Sequence, residues 1–257
     1  MSGRPDNAGA ARRAAAAAID AEGTDEDEWR RARLPDSLPA IALPSGPVVV
    51  VAAHPDDEVL GFGGCISALV QAGVAVHTLC LSDGEASHGS SLPSDRALLA
   101  VRRRGELAAA LDELGRLPAP VYAGLPDTAL AEYEDEARVA IAEVLAAVGA
   151  AVCVAPWEGD LHSDHEAAGR AAQRAARDSS VSVWSYPVWM WHWARPDDLR
   201  VPWHRTAVVS LPEAAAVRKK AAVARFTSQL EPRGHAGPVL PPEEMAHHTR
   251  TFETVIR

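Results

Sequence analysis

Cysteine is scarce in this 257-residue chain, positive charge is in deficit, and long apolar runs are missing. The three cysteines, Cys65, Cys80 and Cys153, are odd in number, and each lies in an apolar stretch. That excludes a disulfide framework and a Cys-x-x-Cys metal site, and leaves reduced, buried thiols. Lys and Arg number 25 against 35 Asp and Glu, a net charge of -10 at pH 7. A basic footprint for a phosphate backbone is therefore absent, and nucleic acid is excluded as a partner. No apolar run approaches the roughly 18 residues of a membrane span. The longest, Pro47 to Ala53, has strand length. Arg12 and Arg13 precede the alanine run Ala14 to Ala18, but acids follow at Asp20 and Glu22. This reads as a non-secretory start, and the expected location is cytoplasmic.

What is present is the composition of a globular protein, 47% hydrophobic and 23% charged. Residues 1–45 form an expected N-terminal arm, its first 20 or so residues disordered or a frayed helix. Trp29 and the apolar positions after it are expected to pack as an extended segment. Residues 46–257 are expected to form a single domain. From Val48 onward strand and helix signals alternate. Val48 to Ala53, Val74 to Leu81, Val121 to Ala123, Ala151 to Ala155, Val181 to Tyr186 and Thr206 to Leu211 read as strands. Val59 to Ala72, Asp95 to Leu114, Glu132 to Val148, Asp164 to Ala176 and Glu213 to Phe226 read as helices, several stopped by glycine. The strands are too hydrophobic to have a wet face. The pattern predicts an α/β fold, a doubly wound, mostly parallel sheet with helices on both faces. Ligands of such folds bind beyond the carboxyl ends of the strands. The loops after Ala53, Leu81, Ala123 and Ala155 are thus the places to look for chemistry.

Two of these loops are rich in acids and histidines. The first strand runs into His54-Pro55-Asp56-Asp57-Glu58, and Ala155 is followed by Asp160-Leu161-His162-Ser163-Asp164-His165. Crowded carboxylates repel unless a cation or protons intervene, and imidazole and carboxylate are both zinc ligands. The plainer alternative is that Asp56 and Asp57 cap the helix that follows, and that Asp164 is the N-cap of its own helix. The doubly wound topology brings both loops to one edge of the sheet. His54, one aspartate and one later histidine would give three protein ligands and an open fourth position, the arrangement of a catalytic zinc site.

Ala53-His54-Pro55-Asp56-Asp57-Glu58 after a valine-rich strand, with His162-Ser163-Asp164-His165 further on, resembles the LmbE/PIG-L family of zinc-dependent N-deacetylases. Ser82-Asp83-Gly84-Glu85, Arg103-x-x-Glu106, Leu125-Pro126-Asp127 and Ser228-Gln229 add to the likeness, which covers roughly Val48 to Leu230. The resemblance implies a Rossmann-like fold and a set of roles. His54, Asp57 and His165 would bind zinc, and Asp56 would be the general base. His162 would stabilise the oxyanion, and Asp164 would orient one of the histidines. Glu58 would support the first motif or cap the helix, and Arg103 and Asp127 would contact substrate. The implied partner is a small N-acylated molecule, an amino sugar or its conjugate. The alternatives are a non-sugar amide, such as an antibiotic or thiol conjugate, and a metal-binding protein without turnover. Iron(II) or cobalt suits the same donors as zinc.

Weaker signals carry two readings each. Arg103 lies in an Arg102-Arg103-Arg104 run that a solvated helix face would also explain. The run Trp184 to Trp193 holds four of the seven tryptophans and reads either as packing or as a substrate-facing wall. Gly61-Phe62-Gly63-Gly64 fails the dinucleotide fingerprint because Ile66 takes the third glycine position, so these glycines are expected to serve close packing. His235, His247 and His248 are expected as solvated loop histidines, and His88 as a lining residue.

Overall fold

The computed structural model describes residues 14–19, 21–233 and 237–257. The readings made for residues 1–13, for Asp20 and for His235 lie outside them. Seven strands form one sheet in the order β3-β2-β1-β4-β5-β7-β6. In chain order they are β1 (Val48–Ala52), β2 (Val76–Ser82), β3 (Val121–Leu125), β4 (Val152–Pro156), β5 (Ser182–Tyr186), β6 (Thr206–Ser210) and β7 (Phe252–Ile256). The first five are parallel, and β7 pairs antiparallel with β5 and β6.

The two-sided hydrophobicity of β1 shows how the layers form. Val48 and Val50 point into a core with α3 (Asp57–Gln71), α4 (Pro93–Leu114) and α7 (Glu213–Val223). Val49 and Val51 point the other way, against α5 (Glu134–Val148) and α6 (Ser163–Asp178). Successive side chains on a strand face opposite sides, so a strand covered on both faces must be apolar throughout. Helix α6 meets the sheet through alanines, among them Ala168, Ala171, Ala172 and Ala175. A Cβ on Gly169 would lie 2.6 Å from the Pro156 carbonyl oxygen, so glycine lets α6 approach the loop that carries the second motif.

Helix α3 lies equally close to its neighbours. A Cβ on Gly61 would meet the Tyr186 ring at 2.0 Å, and one on Gly64 would meet Leu211 at 2.3 Å. The Gly64 and Cys65 N–H groups donate to the Glu253 carboxylate at 2.8 Å each. The Leu60 carbonyl accepts from Lys219 Nζ at 2.7 Å, and Lys219 pairs with Glu253 at 2.6 Å. A buried ion pair from α7 and β7 is thereby joined to the backbone of the helix that follows the first motif.

Two expectations need correction. The segment around Trp29 is not extended but begins with a helix, α1 (Glu26–Ala32). Asp25 caps it by accepting from Asp27 N at 2.6 Å, and three acids fill its first turn. It is followed by the short α2 (Leu34–Ser37). His247 and His248 are not solvated but 5% and 2% exposed. His247 lies in α8 (Pro242–His247), where its Nδ1 meets Glu26 at 2.8 Å, and His248 approaches Glu244.

Candidate active site

The strand order changes direction between β1 and β4, and both motifs leave the sheet there. His54 follows β1, and His162 and His165 follow β4. Asp57 joins them. Its Oδ1 is 3.1 Å from His165 Nε2, and its Oδ2 is 3.4 Å from His54 Nδ1. The same Oδ2 accepts the backbone N–H of His54 at 2.8 Å, which folds the loop back on itself. His54 Nε2 faces Asp127 at 3.2 Å and Asp164 at 3.3 Å. The His162 ring lies 5.0 Å from that of His54 and 4.5 Å from that of His165. Donor atoms of His54, His162 and His165 lie within 4.8 Å of one another, as do those of His54, Asp127 and Asp164.

The helix-capping alternatives fail. Asp56 occupies the N-cap position of α3 but makes no capping hydrogen bond. Asp57 is spent on His54 and His165. The N-cap of α6 is His162, and Asp164 instead accepts the N–H groups of Thr128 (2.7 Å) and Leu130 (3.2 Å) from the loop after β3. Asp164 thus touches His54 and not His162, whose Nδ1 is buried without a partner. Glu58 is fully buried, with no hydrogen-bond partner for either carboxylate oxygen. Burial pushes its pKa well above the ordinary value.

Arg103 turns inward while Arg102 and Arg104 remain on the surface. Its Nη2 donates to Asp56 Oδ2 at 2.8 Å and its Nη1 to the Gly84 carbonyl at 2.8 Å. Asp127 accepts the Ala86 N–H at 2.7 Å. Both residues line a cavity of about 160 Å³ together with His54, Asp56 and His162. Trp189 is on its wall, whereas Trp184 and Trp191 are packed in the interior. His88 is not among the lining residues; its Nε2 lies 2.8 Å from the Ser228 carbonyl.

Asp160 is a residue whose importance the sequence reading missed. One of its carboxylate oxygens lies 2.7 Å from His165 Nδ1, and the carboxylate also accepts the N–H groups of Val188, Trp189 and Met190. It therefore fixes the His165 ring and anchors the tryptophan wall at once. Its place at the head of the second motif was a signal. Its three backbone donors, however, come from a segment nearly thirty residues later.

The electrostatics favour positive charge. Burial opposes protonation of His54, but Asp127, Asp164 and Asp57 override it and hold its pKa well above the ordinary value. Burial likewise opposes a charged His165, and Asp57 and Asp160 raise it to about 9. Burial would raise Asp57, yet His165 and His54 hold it well below the usual carboxylate range. His162 goes the other way, pushed well down by burial and by the neighbouring His165 and His54. Asp56 is raised by burial against the pull of Arg103. Carboxylates crowded on imidazoles, with a partnerless His162 nitrogen among them, form a donor set that suits a divalent transition metal.

Residues 49–176 match the model of the PIG-L family, described as GlcNAc-PI de-N-acetylase. The chain carries a PIG-L domain. It is 32% identical over 180 residues to a 1D-myo-inositol 2-acetamido-2-deoxy-alpha-D-glucopyranoside deacetylase of Nocardia farcinica. That alignment takes in 61% of this chain and 60% of the relative. It is also 32% identical over 133 residues to a probable N-acetyl-alpha-D-glucosaminyl L-malate deacetylase of Bacillus subtilis, across 50% of this chain and 59% of that one. The chain thus spans about 60% of the length of these curated relatives. In three dimensions the PIG-L domain is similar to the zinc-inhibited form of a teicoplanin deacetylase, with TM-score 0.59, 20% identity and coverage of 72% and 85%. A conserved protein of Thermus thermophilus matches with TM-score 0.55 and 29% identity over 72% and 80%. The fold is also that of a 4-carboxy-2-hydroxymuconate hydratase of Pseudomonas putida (TM-score 0.55, 22% identity, 72% and 80%), so the fold does not by itself dictate deacetylation.

Proposed function

We propose that this chain is a metal-dependent hydrolase that removes an N-acetyl group from an amino sugar or an amino-sugar conjugate. The observation that carries the reading is Asp56, a buried carboxylate beside the metal-ligating candidates that neither caps its helix nor contacts them. In the proposed assignment His54, Asp57 and His165 hold the metal. Zinc is the first choice, with iron(II) or cobalt fitting the same donors. When bound, it would supply Lewis acidity toward water and the amide carbonyl.

The remaining chemistry belongs to the side chains. Asp56 accepts the proton of the attacking water, and its raised pKa suits a group that must take up and release a proton. Arg103 holds one Asp56 oxygen and leaves the other for the water. Asp160 engages His165 Nδ1 and so directs Nε2 into the site. His162, held neutral by its surroundings, donates its ring N–H to the developing oxyanion, and the proton that Asp56 took from water goes on to the departing amine. Asp164 and Asp127 orient His54, and Asp127 also lies where it can meet a sugar hydroxyl. The amino-sugar assignment draws on the N-acetylglucosaminyl group shared by the curated relatives' substrates. Residues 46–257 would act as one catalytic domain, and the buried free thiols suit a cytoplasmic setting.

The test is acetate release from a panel of N-acetylated amino sugars and conjugates, with Asp56→Ala beside the metal-loaded wild type. Turnover by wild type, with a loss of about 10²–10⁴-fold in the variant at unchanged metal content, is the expected result. Undiminished activity in Asp56→Ala would remove the base assignment.

A further inference from the structure

We infer that the amino-sugar substrate carries an uncharged, apolar-faced aglycone, and not a carboxylate or phosphate next to the sugar. The inference takes the position of the sugar from the deacetylase reading above. One side of the cavity is apolar, built from Leu60, Val188, Trp189, Val239 and Leu240. An indole face of this kind stacks on flat apolar groups and on the carbon faces of rings. The polar side holds acids, Asp56 and Asp127.

Arg103 is the one Lys or Arg among the described lining residues, and both its terminal nitrogens are engaged, while its Nε is buried without a partner. Its Nη1 is bonded to the Gly84 carbonyl and its Nη2 to Asp56, with the Pro55 carbonyl a further 3.4 Å contact. The guanidinium fills the space that a side chain on Gly84 would need, so the glycine is what lets Arg103 reach the Gly84 carbonyl and Asp56. A divalent cation on His54, Asp57 and His165 does not create a surplus either. Asp56, Asp57, Asp127 and Asp164 match or exceed the charge of such an ion plus Arg103. An anionic aglycone would be desolvated here without a partner, and that is costly. Arg233 approaches the cavity through Ser87; it is half-buried, and it donates to the Ser87 and Gly237 carbonyls at 2.8 and 3.1 Å.

The experiment measures binding apart from turnover. Metal-loaded Asp56→Asn protein is titrated calorimetrically with phenyl N-acetylglucosaminide, methyl N-acetylglucosaminide and N-acetylglucosamine 1-phosphate. The phenyl glycoside is expected to bind at least about tenfold more tightly than the phosphate, a gap of about 1.4 kcal/mol. Trp189→Ala in the same background is expected to narrow the phenyl-to-methyl ratio. Equal or tighter binding of the phosphate overturns the inference, the more so if Arg233→Ala then abolishes it, and so does binding of none of the three. Acetate release by wild type is read separately. Preferential phenyl binding without turnover would defeat the deacetylase reading and leave the pocket chemistry standing. Turnover with a preference for the phosphate would do the opposite.

Discussion

At the scale of single residues, Asp160 separates what a motif announces from what it depends on. It is fully buried, yet its carboxylate oxygens are satisfied by three backbone N–H groups and by His165. Asp160→Asn keeps the shape but replaces one acceptor oxygen with a donor. Metal affinity is expected to fall about 10- to 100-fold, as measured by competition with a chromogenic chelator. His54, Asp56, Asp57, His162 and His165 were legible in the sequence because each motif is continuous and follows a strand. The partners were not legible, because contacts such as His54 with Asp127 and Asp160 with Trp189 join loops far apart in the chain. Asp164 shows the limit of local reading. As a residue at a helix start it suggested a cap, but the free N–H groups it satisfies belong to another loop.

Among the elements, α3 is the most exacting, since it packs through glycines and shares its backbone with a buried ion pair. Gly61→Ala drives a methyl group into the Tyr186 ring, which is itself fixed by its hydroxyl donating to the Val51 carbonyl at 2.8 Å. A stability loss of about 1–3 kcal/mol is expected in urea unfolding. Lys219→Met leaves Glu253 buried without its cation and should cost more, about 3–5 kcal/mol. The parallel strands were readable because burial on both faces forces apolar runs such as Val48 to Val51. β7 was missed because Phe252-Glu253-Thr254-Val255-Ile256 carries an acid and a threonine, and nothing local shows that Glu253 finds Lys219. Helix α1 had its signals, Asp25 as cap and an acidic first turn, but they also read as a plain charge run.

For the molecule as a whole, two carboxylates hold the outer segments together. Burial pushes Glu26 upward, but hydrogen bonds from His247 and Arg250 bring it down from 4.5 to about 2. Burial also opposes ionisation of Glu244, and His192 and His248 overcome it to give about 2. Between pH 4.5 and 2 the unfolded chain binds more protons than the folded one, so stability rises with pH across that window. The contribution is complete above 4.5 and is lost as acid approaches pH 2. Trp29 stacks edge-on with Trp191 at 5.0 Å, so tryptophan fluorescence should report release of α1 in that range. Glu26→Gln should flatten the response. The sheet order has a consequence for how the protein is made. β7 is the last of the seven strands to be synthesised, yet it lies between β5 and β6. While the ribosome still holds residues 252–256, the other strands leave a slot with two open edges. Glu253 also arrives only then, so the helix behind the first motif receives these hydrogen bonds after the other six strands have been made. Ribosome-bound chains halted before residue 252 are therefore expected to stay protease-sensitive, and those extended far enough to free residues 252–256 from the ribosome to become resistant in a single step.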